Sequence, residues 1–152
     1  MSDRYIDFVN SPLGQLLAKN LGLPAPLALD RFNAEAPVVK GAVLVGAAAG
    51  SELTAAITQV LANIKADVFA AADSAGHGLA SNAGLATVSY APSAEDGQKF
   101  KALVFDASGI TRSDDLIALH SFFSPVIRKL ANSARIIVIG RTPELCGNPK
   151  HA

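Results

Sequence analysis

A chain of 152 residues, half of them hydrophobic, has the length for one domain and enough apolar side chains for a sizeable core. Thirteen basic residues balance thirteen acidic ones and the isoelectric point is near 6.8, which excludes the electrostatic footprint that nucleic acid or an anionic membrane surface requires. The apolar runs fall far short of the roughly 20 residues that span a bilayer, the first residues carry Asp3, Arg4 and Asp7 rather than an apolar signal core, and the single cysteine, Cys146, fits a reducing compartment, so the expected location is the cytoplasm.

In chain order, Ser11 followed by Pro12 reads as an N-cap with proline at the first helical position, and Gly22 with Pro24 supplies the stop. A helix over 12–21 would carry Leu13, Leu16, Leu17 and Leu21 as an apolar stripe that packs on something. From Pro24 to Pro37 the prolines break any period and predict an extended connector, so residues 1–41 read as a helix plus connector and 42–152 as the α/β body of a single domain. Ala42-Val43-Leu44-Val45 is an unalternating apolar run, the pattern of a strand covered on both faces. After the small-residue turn Gly46 to Gly50, the segment Glu52 to Ile64 has Leu53, Ile57, Val60, Leu61 and Ile64 at helical spacing. Strands are further predicted over 67–71, 86–90, 101–105 and 135–139, with a loop over 72–84 and a helix over 116–130 kinked or divided at Pro125. Strands alternating with helices imply a doubly wound parallel sheet of about five strands. Ligands of such sheets lie beyond the carboxyl ends of the strands, so Gly46, Gly50, Asp73, Asp106, Gly109 and the segment 140–142 mark where a site would fall.

Gly46 and Gly50 are spaced for a phosphate-binding turn, and Asp73 is placed to accept from a ribose hydroxyl. Against this, Glu52 would stand in the first helical turn, where two unit charges about 4 Å apart at an effective ε of about 20 repel by about 4 kcal/mol. The turn is therefore expected to be structural, with Glu52 complementing the helix dipole. His77, His120 and His151 lack metal-ligand spacing, and Ser108 with Asp106 and His120 lacks the elbow of a nucleophile triad. No metal and no catalytic residue is expected. Ala47-Ala48-Ala49 offers no hydroxyl-rich loop for a flavin, and the strand ends lack the acidic pair and lysine of a phosphoreceiver.

The stretch Leu103-Val104-Phe105-Asp106-Ala107-Ser108-Gly109-Ile110-Thr111-Arg112 resembles the strand and turn of bacterial 3-oxoacyl-acyl-carrier-protein reductases, with Asp106 and Ala107 in place of two asparagines. Ala134 to Arg141 resembles the later strand that carries the family's catalytic serine, and Arg141 occupies that serine's position. Neither Tyr5 nor Tyr90 is followed at the fourth residue by the family's lysine, those positions being Val9 and Ala94. Together with Asp7-Phe8-Val9-Asn10-Ser11, Leu21-Gly22-Leu23-Pro24 and Phe122-Phe123-Ser124-Pro125-Val126, these stretches resemble the N-terminal module of the high-molecular-weight reductases of that family, over nearly all of the chain except 72–97. The resemblance implies a degenerate Rossmann or flavodoxin-like fold, truncated on its C-terminal side, that holds no cofactor. It also implies a parent reductase that uses NADH or NADPH in fatty-acid-type metabolism through a separate C-terminal reductase domain. A rival reading keeps a nucleotide or acyl ligand between Gly46 and Gly109. Alternating β-branched residues at Ile136 to Ile139 with no helix to cover them predict a homo-oligomer.

Overall fold

In a computed structural model of the chain, residues 4–9, 11–22, 33–72, 88–93 and 97–142 are described. They belong to two compact units, Met1–Phe32 and Asn33–Ala152.

The first unit contains α1 (Arg4–Val9), which the sequence reading did not anticipate, and α2 (Pro12–Leu21). Ser11 caps α2 as expected: its Oγ accepts from the Gly14 N–H at 3.1 Å and donates to the Phe8 carbonyl at 2.6 Å. Gly22 closes the helix in the left-handed region at φ 63°. The buried positions of α2 are Gly14 and Ala18, whereas Leu13, Leu16, Leu17 and Leu21 are exposed, contrary to the expected leucine stripe. The reason lies at Gly14, where a Cβ would run into the Phe8 carbonyl and lie 2.9 Å from Val9 Cα, so that the glycine side is the one α1 approaches. The connector predicted after α2 falls largely outside the described residues.

The second unit is an α/β structure with one parallel sheet of five strands: β1 (Ala42–Ala47), β2 (Asp67–Ala71), β3 (Val88–Tyr90), β4 (Phe100–Asp106) and β5 (Leu130–Ile139). Their order is β3-β2-β1-β4-β5, so the chain starts in the middle of the sheet, runs to one edge and returns to the other. This is the doubly wound arrangement, and its reversal point lies between β1 and β4. Every residue of β1 is buried because both of its faces are covered. On one face Val43, Val45, Val68, Ala102 and Val104 pack with Ile57 and Leu61 of α3 (Thr54–Asn63). On the other, Leu44, Leu103 and Phe105 pack with Phe122 of α4 (Ile117–Phe123) and with Val126.

Two differences from the sequence reading have local causes. The helix expected over 116–130 is a 3₁₀ turn at Ser113–Leu116, then α4, then a second 3₁₀ turn at Ile127–Lys129. Pro125 has no N–H to continue the ladder after Ser124 donates to the His120 carbonyl at 2.9 Å. The last strand starts at Leu130 rather than Arg135, since the partner of Phe100 is Leu130 and that of Ala102 is Arg135, with a bulge between that includes Ser133 at φ 56°. Lys129 Nζ to the Ser93 carbonyl at 2.6 Å and Lys101 Nζ to the Asn132 carbonyl at 2.6 Å tie this irregular stretch down.

The connection between Tyr90 and Phe100 has only nine residues. It is shorter than the dozen or more residues that a crossover carrying a helix uses. Its described residues contain no helix. α4 sits over β1 instead, as shown by Gly46, where a Cβ would fall inside the Phe122 ring.

Candidate functional site

The turn after β1 and the turn after β4 meet at the reversal point of the sheet, where the sequence placed Gly46, Gly50, Asp106 and Gly109. Asp106 is fully buried. Its Oδ1 accepts from the Ser108 N–H at 3.0 Å and from Ser108 Oγ at 2.6 Å, and its Oδ2 accepts from Thr54 Oγ1 at 2.8 Å. Ser108 Oγ in turn accepts from the Glu52 N–H at 2.9 Å. Ser51 completes the latch, its Oγ donating to the Asp106 carbonyl at 2.8 Å and accepting from the Gly109 N–H at 3.3 Å. A buried carboxylate needs such donors, because each lone pair withdrawn from water without one costs free energy. Among the described residues no buried side-chain nitrogen or oxygen lacks a partner.

Chemically, this arrangement fastens rather than catalyses. The Ser108 hydroxyl is buried and committed on both sides, so it is not poised as a nucleophile, and His120 stands exposed on α4. The two turns also touch through backbone: a Cβ on Gly109 would overlap the Ala49 carbonyl and lie 2.7 Å from Ser51 N and 2.8 Å from Gly50 C. Gly50 takes the left-handed conformation at φ 73° with open space beside it, so its role is to turn the chain. Gly46 serves a third purpose, admitting the Phe122 ring on the α4 side of β1. Asp73, His77, Cys146 and His151 lie outside the described residues.

Glu52 needs a correction. It precedes α3, which begins at Thr54 with Leu53 as its cap residue, so it is outside the first helical turn. Its Oε1 is 3.0 Å from Arg141 Nη2, with the two side chains 72% and 28% exposed. Arg141 and the acidic residue of the turn are thus partners, and the guanidinium opposes the repulsion expected between Glu52 and a phosphate. The turn is closed by the backbone contact at Gly109, not by charge.

Ser51 and Thr54 were not singled out from the sequence, and Ser108 was weighed only as a nucleophile, although the three donate or relay every side-chain hydrogen bond of the latch. The one available signal was a pair of hydroxyls, Ser51 and Thr54, flanking the start of a helix beside a buried strand end. Among the described residues there is no group of three metal-ligating side chains, and no helix is long and apolar enough to cross a membrane. No protein-family model matches the chain, and no curated protein matches it.

Proposed function

We propose that the chain is a cytoplasmic, non-catalytic α/β module of a 3-oxoacyl-acyl-carrier-protein-type reductase, serving assembly or support of a separate reductase domain. In this reading the partner domain reduces the 3-oxoacyl thioester to the 3-hydroxyacyl form with NADH or NADPH. The observation that supports its non-catalytic part is the contact of Gly109 with Ala49, Gly50 and Ser51. In a dinucleotide enzyme of this topology the pyrophosphate approaches the backbone at that reversal point. Here a second backbone segment stands there, and the Ser51 and Glu52 amides donate to Ala48 O and Ser108 Oγ rather than outward. This also argues against the rival reading of a nucleotide held between Gly46 and Gly109.

The test is titration of the purified chain with NADH and NADPH, followed by cofactor fluorescence, together with a steady-state assay on a 3-oxoacyl thioester. No saturable binding below about 1 mM and no turnover are expected, since opening the latch would cost several hydrogen bonds. Saturable micromolar binding, or turnover by the chain alone, would overturn the proposal. The coding sequence downstream of Ala152 gives a second check, in which the proposal requires a glycine-rich strand and turn followed by a Tyr-x-x-x-Lys segment.

A further inference from the structure

On the α4 side of the sheet there is a cavity of about 260 Å³ at the carboxyl ends of β1, β2 and β3. Leu44, Ala47, Tyr90, Phe105, Phe122 and Val126 form much of its wall, and among the described residues no charged side chain lines it. We infer that this cavity is a binding site for a small uncharged apolar ligand, a hydrocarbon chain end or a flat ring of about eight or nine non-hydrogen atoms.

The size follows from the volume at about 30 Å³ per water-sized group. The chemistry follows from the wall: an ionised group would lose its hydration and meet no counter-charge, whereas an apolar one exchanges water for dispersion contacts. An enclosed apolar cavity of about 150 Å³ can accept a hydrocarbon guest, and the same dispersion contacts are available along this wall. The site is also preformed. Phe105 and Phe122 pack with their rings tilted by 44° at 5.0 Å between centroids, Phe122 and Phe123 meet edge-on at 4.9 Å, and Phe105 and Leu44 are fully buried in β4 and β1. Rigid strands and a locked aromatic cluster resist the collapse that would otherwise fill the space, and concave apolar sites at strand ends are where parallel sheets take ligands. The inference does not depend on the proposed function, because NADH binding at the latch would sink that reading and leave this one standing.

The chain has no tryptophan, so an aromatic dye reports without protein emission in its window. With indole, a fluorescent ring system of about nine non-hydrogen atoms, as the dye, we expect a saturable change in its emission with a dissociation constant of about 10–100 µM, as suits so few ligand atoms. Octan-1-ol should displace the dye, and NADH should not. Ala118 and Ala71 both border the cavity, and Ala118→Leu or Ala71→Val fills it from the helix or the strand side. Each variant that retains a cooperative thermal transition should bind at least about 10-fold more weakly, while Ile137→Lys on β5 should bind as the parent does. Absence of saturable binding, undiminished binding in both filled variants, or loss confined to Ile137→Lys would overturn the inference.

Discussion

Asp106 is buried among donors that come from three different places: its own turn, the start of α3 and the turn after β1. Thr54→Val keeps the shape of the side chain and removes one donor, leaving Oδ2 without its partner. Hydrogen bonds to charged groups contribute about 1.5–3 kcal/mol, so urea denaturation should show a loss of that order. Asp106→Ala, which strands Thr54 Oγ1 and Ser108 Oγ together, should cost about 2–4 kcal/mol. The glycines separate by mechanism. Gly50→Ala meets no neighbour and carries only the left-handed penalty of about 1–2 kcal/mol, whereas Gly109→Ala must push the turns apart and should exceed it. Equal losses in the two glycine variants would mean that the turns do not rely on their backbone contact. The sequence made Asp106 and Gly109 visible because a strand end followed by small residues is a local pattern. It hid Ser51 and Thr54 because their partners lie more than fifty residues away, Thr54 and Asp106 being 52 residues apart.

At the scale of elements, the legible parts were those whose pattern is complete within the element: β1, α3, β2 and β4 carry their burial in their own spacing. The start of β5 was not legible, since Leu130 to Ala134 joins the sheet through a bulge and lysine contacts from other segments rather than through alternation. Nor was the position of α4 over β1, where Gly46 lacks the side chain that would meet the Phe122 ring. That pairing is testable. Gly46→Ala would force the Phe122 ring away from β1, and overpacking of this kind costs about 1–3 kcal/mol. Phe122→Leu alone should also destabilise, by trimming the cluster with Phe105 and Phe123. In the double variant the smaller side chain makes room for the methyl group, so the two losses should be less than additive by at least about 0.5 kcal/mol. Strict additivity in thermal or urea unfolding would separate Gly46 from the placement of α4.

For the whole molecule, the sheet order leaves β5 at one edge, and there Ile136, Ile137 and Val138 are 50%, 41% and 49% exposed. The register Val104↔Ile137 and Phe105↔Val138 puts Ile137 on the α3 side and Ile136 and Val138 on the α4 side, so apolar surface is open on both faces. The bulge interrupts the first half of the edge, leaving Arg135 to Ile139 as its regular part. Two copies pairing antiparallel about Ile137 would set Arg135 opposite Ile139 and Ile136 opposite Val138, with no like charges facing. Covering the remaining surface of the three side chains contributes about 2–4 kcal/mol, and the edge hydrogen bonds about 0.5–1.5 kcal/mol each. Association itself costs at least about 4 kcal/mol, so the balance favours a weak dimer with a dissociation constant of about 0.1–1 mM. Sedimentation velocity should therefore give a 15.6 kDa monomer at about 10 µM and a rising average mass towards about 1 mM. Ile137→Lys places a charge at the centre of the edge and should keep the chain monomeric throughout. A mass that stays constant for the parent over this range, or a rise that Ile137→Lys leaves unchanged, would show that β5 is not the surface through which copies associate.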